Sequence, residues 1–217
     1  MSEAKYALLN KEQKEAVFHT EGPLLILAGA GAGKTRVLTY RTAYLIEEKN
    51  IAPWNILAIT FTNKAAEEMR ERIKSLVEYG DSVWVATFHA TCVRILRRFI
   101  DRLGYETDFT IYDSDDAKTL LKQVIRDLNL DPKMYKERAM ASWISSLKND
   151  MQTVEDVKED SKGNFRAMRE AEVYEAYVKA CKKNNALDFD DLLLLTVQLF
   201  KENADVLDYY RSVLDTS

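Results

Sequence analysis

Cysteine and histidine are scarce in this chain of 217 residues, which contains two of each. Cys92 and Cys181 lie far apart and belong to no C-x-x-C unit, so the sequence contains neither a disulfide framework nor a zinc-ligand pattern. No apolar run approaches the ~18–20 residues that a membrane-spanning helix needs, and Ser2, Glu3 and Lys5 do not begin a signal segment. We therefore expect a cytoplasmic protein with no membrane partner.

Neither sign of charge dominates, because 31 basic and 35 acidic residues give a net charge of −4. This balance alone neither favours nor excludes a nucleic-acid partner. The distribution is uneven, since four arginines and one acid lie between Phe88 and Arg102, whereas seven acids and two bases follow from Ala186 onward. The arginine-rich stretch is therefore either a basic patch or a solvated helix face.

A glycine-rich loop, residues 28–35, is the strongest functional signal. It follows the apolar residues 24–27 and reads Ala28, Gly29, Ala30, Gly31, Ala32, Gly33, Lys34, Thr35. The pattern is that of a phosphate-binding loop with Ala28 in place of the first glycine: backbone N–H groups hold phosphate, Lys34 reaches the β- and γ-phosphates, and the Thr35 hydroxyl binds Mg²⁺. A solvated turn is the alternative, but an apolar strand before the loop and a helix after it favour ATP-type binding.

Short apolar segments alternate with helical patterns over the first hundred residues. Residues 24–27, 56–61 and 83–88 are predicted to be buried parallel strands, and residues 35–48 and 63–77 the helices between them. This order is typical of an α/β fold with a parallel sheet. From residue 89 onward the pattern is helical, apart from a short strand-like segment at residues 109–112. Helices are predicted at residues 89–103, 138–148, 165–183 and 192–200. Two more are predicted, one from the acidic start at residues 113–116 to residue 128 and one that begins at Asp131-Pro132.

Several motifs occur together in a fixed order. They are L-N-K-E-Q at residues 9–13, the phosphate loop followed by Arg36, A-I-T-F-T-N-K-A-A at residues 58–66, T-F-H at residues 87–89 and L-D-F-D-D-L at residues 187–192. In order and spacing they resemble the amino-terminal part of the UvrD/Rep/PcrA superfamily 1 DNA helicases, most of all the PcrA type. The resemblance covers essentially the whole chain.

This resemblance implies a RecA-like P-loop NTPase motor domain with a parallel sheet, made of residues 1–104 and 186–217. An all-helical subdomain over residues 105–185 interrupts it. The implied parent is an ATP-dependent 3′–5′ DNA helicase or translocase for DNA repair or replication, with ATP and Mg²⁺ as cofactors. Its partners are single-stranded DNA and the duplex junction, which the helical subdomain touches.

The nucleotide site implied by the resemblance consists of Gln13, residues 28–35 and Arg36, with Lys34 and Thr35 as the catalytic members. The Gln13 amide, which has both a donor and an acceptor, matches the adenine edge. Asn10 and Gln13 also have the spacing of a helix capping box, so Gln13 can instead serve to close a helix end. The sequence leaves both roles open.

The implied DNA-binding residues follow the second and third predicted strands. Phe61 is available to stack on a base, with Thr62, Asn63 and Lys64 near phosphates. Thr87, Phe88 and His89 repeat this arrangement one strand later. Thr62 or Asn63 can also be an ordinary helix cap, and His89 a local hydrogen-bonding residue. The cap and phosphate roles are compatible, because a helix N-terminus holds phosphate well.

The acidic residues Asp188, Asp190 and Asp191 do not have the setting of a magnesium site. A Walker B aspartate ends an apolar strand, whereas residues 187–189 alternate and a buried helix follows. We interpret this motif as a structural return into the motor domain near the nucleotide, with its role left open.

The family's Asp-Glu strand and second motor domain do not occur within the 217 residues. We therefore expect an amino-terminal fragment that binds ATP and DNA only weakly and has neither ATPase nor unwinding activity of its own. A complete small P-loop kinase or other NTPase is one alternative, but it requires a metal-binding aspartate that we do not find. A non-catalytic P-loop module that binds nucleic acid or protein is the other.

Overall fold

The computed structural model of the protein describes residues 2–214, most of them helical. The helices are α1 (Ser2–Tyr6), α2 (Lys11–Phe18), α3 (Lys34–Glu47), α4 (Asn63–Leu76), α5 (Phe88–Phe99), α6 (Ser114–Asp127), α7 (Glu137–Asn149), α8 (Val154–Asp160), α9 (Phe165–Lys183), α10 (Phe189–Glu202) and α11 (Ala204–Val213). The strands are β1 (Leu57–Thr60), β2 (Trp84–Thr87), β3 (Thr110–Tyr112) and β4 (Ala186–Asp188). Short 3₁₀ turns occupy Pro53–Asn55, Gly80–Ser82 and Ile100–Leu103. Across residues 2–214, no helix has both the length and the apolar character needed to cross a membrane.

The helices and strands form two compact units. The first contains the residues up to Thr91 and those from Asp205 onward, and the second is Cys92–Ala204. The limit at residue 91 therefore falls inside α5. The boundaries at residues 105 and 185 were predicted for the helical subdomain that the family resemblance implies. They stay a prediction.

In the first unit, β1 and β2 run parallel, with Thr60 opposite Thr87. Helix α4 makes the crossover that a parallel pair requires. It is amphipathic and packs Met69 and Ile73 into a core that includes Val85 of β2. Because both strands run in the same direction, their carboxyl ends lie at one edge of the sheet. The strands predicted at residues 56–61 and 83–88 are confirmed.

In the second unit, β3 and β4 pair in parallel although α6–α9 separate them in the chain. The helices bury a common core that includes Leu121, Ile144 and Tyr177. The acidic start predicted before residue 117 is confirmed, because Asp113 accepts from the N–H groups of α6 and forms a capping box with Asp116. The predicted bounds of the helix at residues 165–183 are those of α9.

The strand predicted at residues 24–27 is wrong. This segment is not a strand, and the side chains of Leu25 and Leu27 are 83% and 88% exposed. A strand needs a neighbour for its backbone N–H and C=O groups, and no strand within residues 2–214 pairs with this segment. Apolar β-propensity alone therefore does not make it a strand.

The helix predicted from Asp131-Pro132 is also wrong, because this segment forms a turn and α7 begins at Glu137. The side chain of Asp131 accepts from the N–H of Lys133 at 2.9 Å, and its carbonyl accepts from the N–H groups of Met134 and Tyr135. Such local side-chain bonds compete with helix continuation.

The exposed apolar segment predicts that this chain self-associates. Unpaired backbone groups beside exposed leucines form a template for strand pairing with a second chain. We expect concentration-dependent association in analytical ultracentrifugation, and a monomer for the double variant Leu25→Lys, Leu27→Lys. As a control, Leu8→Lys changes a leucine that is 68% exposed in the same unit and should leave association unchanged. A wild-type chain that stays monomeric at high concentration would contradict this prediction.

Candidate nucleotide site and nucleic-acid surface

The phosphate loop leads directly into α3. Gly33 is the N-cap residue of this helix with φ 83°, and Gly31 has φ 78°, a conformation that glycine adopts without strain. No side chain caps α3, so its first N–H groups, which lack acceptors within the helix, remain available to an anion. The loop borders an open cleft of about 390 Å³, lined by Ala30, Gly31, Gly33, Lys34, Thr35, Arg36 and Arg72.

Lys34 folds back over the loop. Its Nζ donates to the carbonyl oxygens of Ala28 at 2.8 Å and Gly29 at 3.2 Å. Because a lysine ammonium carries three donors, the same group can exchange these carbonyls for phosphate oxygens. A phosphate group in the cleft would therefore replace bonds that the loop now makes to itself.

The hydroxyl of Thr35 is the magnesium ligand that the sequence predicts. Thr35 is exposed and lines the cleft at the start of α3. Mg²⁺ takes oxygen ligands and is usually held by one or two protein groups, waters and substrate phosphates. In the part of the chain that the structure describes, no group of three His, Cys, Asp or Glu side chains could hold a metal. The exposed Thr35 hydroxyl is one oxygen donor of the kind that Mg²⁺ takes.

Gln13 joins the start of α2 to the phosphate loop. Its backbone N–H donates to Oδ1 of Asn10 at 2.8 Å, and its Oε1 accepts from the N–H of Asn10 at 3.1 Å, which completes a capping box. Its Nε2 donates to the carbonyl of Ala32 at 3.3 Å. The capping role is therefore present in this structure, and it places the carboxamide against the loop.

The residues predicted to bind DNA gather at the edge where β1 and β2 end. Phe61 follows β1, Phe88 follows β2, and their ring centroids are 5.7 Å apart. Phe61 is 90% exposed and Phe88 45%. The two rings form an aromatic platform, which is the kind of surface on which unpaired bases stack.

The other predicted DNA contacts surround this platform with different exposure. Asn63, Lys64 and His89 are exposed near the starts of α4 and α5. The hydroxyls of Thr62 and Thr87 accept from the N–H groups of Ala65 and Ala90 and so serve as helix caps. Thr62 is exposed, whereas Thr87 is buried. The exposed N-terminal turns beside the platform suit phosphate groups.

Comparison with known proteins identifies the family of this chain. The profile of the UvrD/REP helicase N-terminal domain matches residues 9–216. The chain belongs to this family. It is 50% identical over 205 residues to the ATP-dependent DNA helicase PcrA of Staphylococcus epidermidis and 49% identical to that of Staphylococcus aureus. These matches cover 94% of this chain and 28% of each relative, so the chain spans less than a third of their length.

In this UvrD/REP domain, Arg72 lies beside the phosphate loop although the sequence did not single it out. It comes from α4 and lines the cleft together with Lys34 and Thr35. It also borders a second depression with Arg36 and Tyr40. The position of Arg72 depends on the packing of α4 beside α3. No sequence motif marks it, so only the folded unit reveals this second arginine.

In this family member, the L-D-F-D-D-L motif at residues 187–192 contributes two carboxylates to a buried ionic centre in the second unit. Lys148 of α7 donates to Asp188 at 2.7 Å and to Asp191 at 2.8 Å, and Tyr177 of α9 donates to Asp188 at 2.8 Å. Asp188 also caps α10 in a capping box with Asp191. Asp190 is only half-buried and accepts from Asn149 at 3.4 Å. The two buried carboxylates are thus occupied by an ammonium, a hydroxyl and backbone N–H groups.

The electrostatics of this centre follow from burial and from one shared cation. Burial raises the pKa of Asp191 to about 6, against the attraction of Lys148. Burial also acts to raise the pKa of Asp188, but Lys148, the N–H of Asp191 and the Tyr177 hydroxyl hold it below its ordinary value. Burial acts to lower the pKa of Lys148, and the two carboxylates raise it above the usual lysine value. The centre therefore ties α7 and α9 to the start of α10.

Proposed function

We propose that this chain is the ATP- and DNA-binding portion of an ATP-dependent 3′–5′ DNA helicase. The observation that carries the proposal is that one compact unit holds both the open phosphate loop and the exposed Phe61–Phe88 platform. The family membership and the similarity to PcrA helicases support it. A RecA-like arrangement of this unit is part of the proposal, supported by the parallel pair β1–β2 and the loop that begins α3.

Each part of the nucleotide site has a separate task in this proposal. The N–H groups at the start of α3 hold the phosphates, Lys34 neutralises the β- and γ-phosphate charge, and Gln13 reads the adenine edge. Arg36 and Arg72 supply further positive charge at the cleft. The Thr35 hydroxyl would help to hold Mg²⁺, which would supply additional charge neutralisation.

The DNA site of the proposal is the aromatic platform with the helix starts beside it. Phe61 and Phe88 would stack on bases of a single strand, and Lys64 and the start of α4 would meet its phosphates. Contact of the second unit with the duplex junction belongs to the same proposal. A cytoplasmic location is part of the same proposal.

We further propose that the 217-residue chain binds ATP without turning it over. Phosphoryl transfer needs an acid that holds the metal and positions the attacking water. In the described part of the chain, β1 and β2 end in threonine, and Asp113 after β3 caps α6. Strand β4 ends in Asp188, which like Asp191 is paired with Lys148 in the other unit. Binding without hydrolysis also suits the alternative of a non-catalytic P-loop module that binds nucleic acid or protein. A module that binds protein differs from the helicase proposal in needing no single-strand affinity.

The variant Lys34→Ala tests the nucleotide site. Loss of a charge-assisted contact to phosphate is expected to weaken binding of a fluorescent ATP analogue about 10- to 100-fold, the equivalent of about 1.5–3 kcal/mol. The matched control is Lys49→Ala, which removes an exposed lysine just beyond α3 and leaves the affinity unchanged. Phosphate release should stay at the level of a protein-free blank. Equal binding by Lys34→Ala and wild type would refute the proposed site.

A further inference from the structure

The carboxamide of Gln13 is held from two sides. Its Oε1 accepts from the N–H of Asn10, and its Nε2 donates to the carbonyl of Ala32. Space around it is tight, because a Cβ atom at Gly33 would lie 2.7 Å from Nε2. The side chain is therefore fixed between the start of α2 and the phosphate loop.

These two bonds also fix which end of the carboxamide is oxygen and which is nitrogen. If the group were flipped, Nε2 would face the N–H of Asn10, a donor against a donor. Oε1 would then face the carbonyl of Ala32, an acceptor against an acceptor. Both contacts of the flipped carboxamide would leave polar groups unpaired. The orientation that the structure shows is therefore preferred.

A count of hydrogen-bonding capacity shows what remains for a ligand. A carboxamide has two N–H hydrogens and an oxygen with two lone pairs. One hydrogen and one lone pair are used by Ala32 and Asn10, which leaves one donor and one acceptor. Adenine presents an acceptor at N7 beside a donor at N6, whereas guanine presents two acceptors, N7 and O6. The remaining pair on Gln13 therefore matches adenine and opposes guanine.

We propose that Asn10 is a positioning residue for the nucleobase. Its Oδ1 holds the backbone N–H of Gln13, and this keeps the backbone N–H of Asn10 opposite Oε1 of the carboxamide. In this way the capping box fixes the orientation of the carboxamide and sets the preference for adenine over guanine. The helix cap and the base reader are then one device, in which Asn10 touches no nucleotide and Gln13 does. This inference rests on the proposed adenine-nucleotide site.

The test compares ATP with GTP as competitors of a fluorescent ATP analogue. Asn10→Ala keeps the backbone N–H that donates to Oε1 but removes Oδ1, which accepts from the backbone N–H of Gln13 at 2.8 Å and holds the two residues in register. Once that register is loosened, ATP affinity is expected to fall on the order of fivefold, about the free energy of one N-cap, with GTP affinity unchanged. The ATP-to-GTP preference should approach that of Gln13→Ala. Asn10→Ser keeps an acceptor at the N-cap and is expected to restore the wild-type preference.

A second cap variant separates base positioning from general loss of a helix cap. Asn164→Ala removes the side-chain cap of α9, which accepts from Ala167 in the other unit, and should leave the ATP-to-GTP preference unchanged. Circular dichroism checks that helix content is retained. An Asn10→Ala variant with the wild-type preference, or with equal losses for ATP and GTP, overturns the inference. If Lys34→Ala also binds ATP as wild type does, the proposed site itself fails, and the inference fails with it.

Discussion

Replacing Lys148 with alanine is expected to destabilise the protein by about 3–5 kcal/mol at neutral pH. Lys148 is 4% exposed and is the cation that faces both Asp188 and Asp191. Its removal leaves two buried carboxylates without a compensating charge, and it opens a cavity between α7 and α10. Urea unfolding followed by circular dichroism measures the loss as a lower midpoint.

The same variant is expected to recover part of its stability in mild acid. In wild type, the raised pKa of Asp191, about 6, means that the folded state keeps a proton that the unfolded state releases. The contribution of Asp191 is therefore present below pH 3.8 and is lost as the pH rises through about 6. Asp188 acts in the opposite sense, because its pKa is lowered in the folded state. Its contribution to stability is lost as the pH falls through this lowered pKa.

Without Lys148, both carboxylates lose the charge that favours their ionised form, so the raised pKa of Asp191 rises further and the lowered pKa of Asp188 rises as well. They become neutral in mild acid, and the penalty of an unpaired buried charge disappears with their charge. The difference between Lys148→Ala and wild type should therefore be largest above pH 7 and smaller near pH 5. A difference that does not change with pH would mean that the loss of packing, and not of charge, dominates.

A surface ion pair supplies the control for this experiment. Lys158 of α8 donates to Glu175 of α9 at 2.8 Å, but the Lys158 side chain is 51% exposed. Exposed pairs contribute little because water and salt screen them. Lys158→Ala should therefore leave the midpoint almost unchanged at every pH. A comparable loss in both variants would show that ion pairing in general, and not this buried centre, stabilises the unit.

The elements that the sequence predicted well carry their signals locally. The Asp113 capping box and the Asn164 cap before a long amphipathic pattern determine where α6 and α9 begin. The strands β1 and β2 are apolar, and each leads into a helix whose first turn is capped by a threonine, Thr62 or Thr87. Each of these features depends on residues a few positions apart, so periodicity and cap chemistry suffice.

The features that the sequence did not predict depend on distant partners. Residues 24–27 have a strand's composition, but a strand forms only where a neighbour accepts its hydrogen bonds. Lys148 reads as an ordinary basic residue at a helix end, and its partners lie 40 and 43 positions further along. Arg72 reaches the phosphate loop only through the packing of α4. Helix α8 was missed although Thr153 and Asp156 form a capping box, a local signal that was available.

Replacing Phe61 with alanine is expected to weaken binding of single-stranded DNA by about 1–3 kcal/mol, the usual contribution of one stacked base. Phe61 is 90% exposed and makes a ring contact with Phe88, so its loss removes half of the aromatic platform. Phe165→Ala is a matched control, because it removes a phenylalanine that is 72% exposed in the other unit. Fluorescence anisotropy with a labelled oligothymidylate measures the affinity. Equal affinities for the two variants would refute the platform.

Salt separates the two kinds of contact at this surface. Stacking on Phe61 releases no counterions, so Phe61→Ala should lower the affinity by the same factor at every salt concentration. Lys64 lies at the exposed start of α4, and Lys64→Ala should reduce the slope of log affinity against log salt by about one unit. The chain as a whole carries a net charge of −4, so long-range attraction does not by itself bring DNA to the protein. Salt-sensitive binding therefore has to come from a few local cations beside the aromatic platform, and these two variants measure each contribution separately.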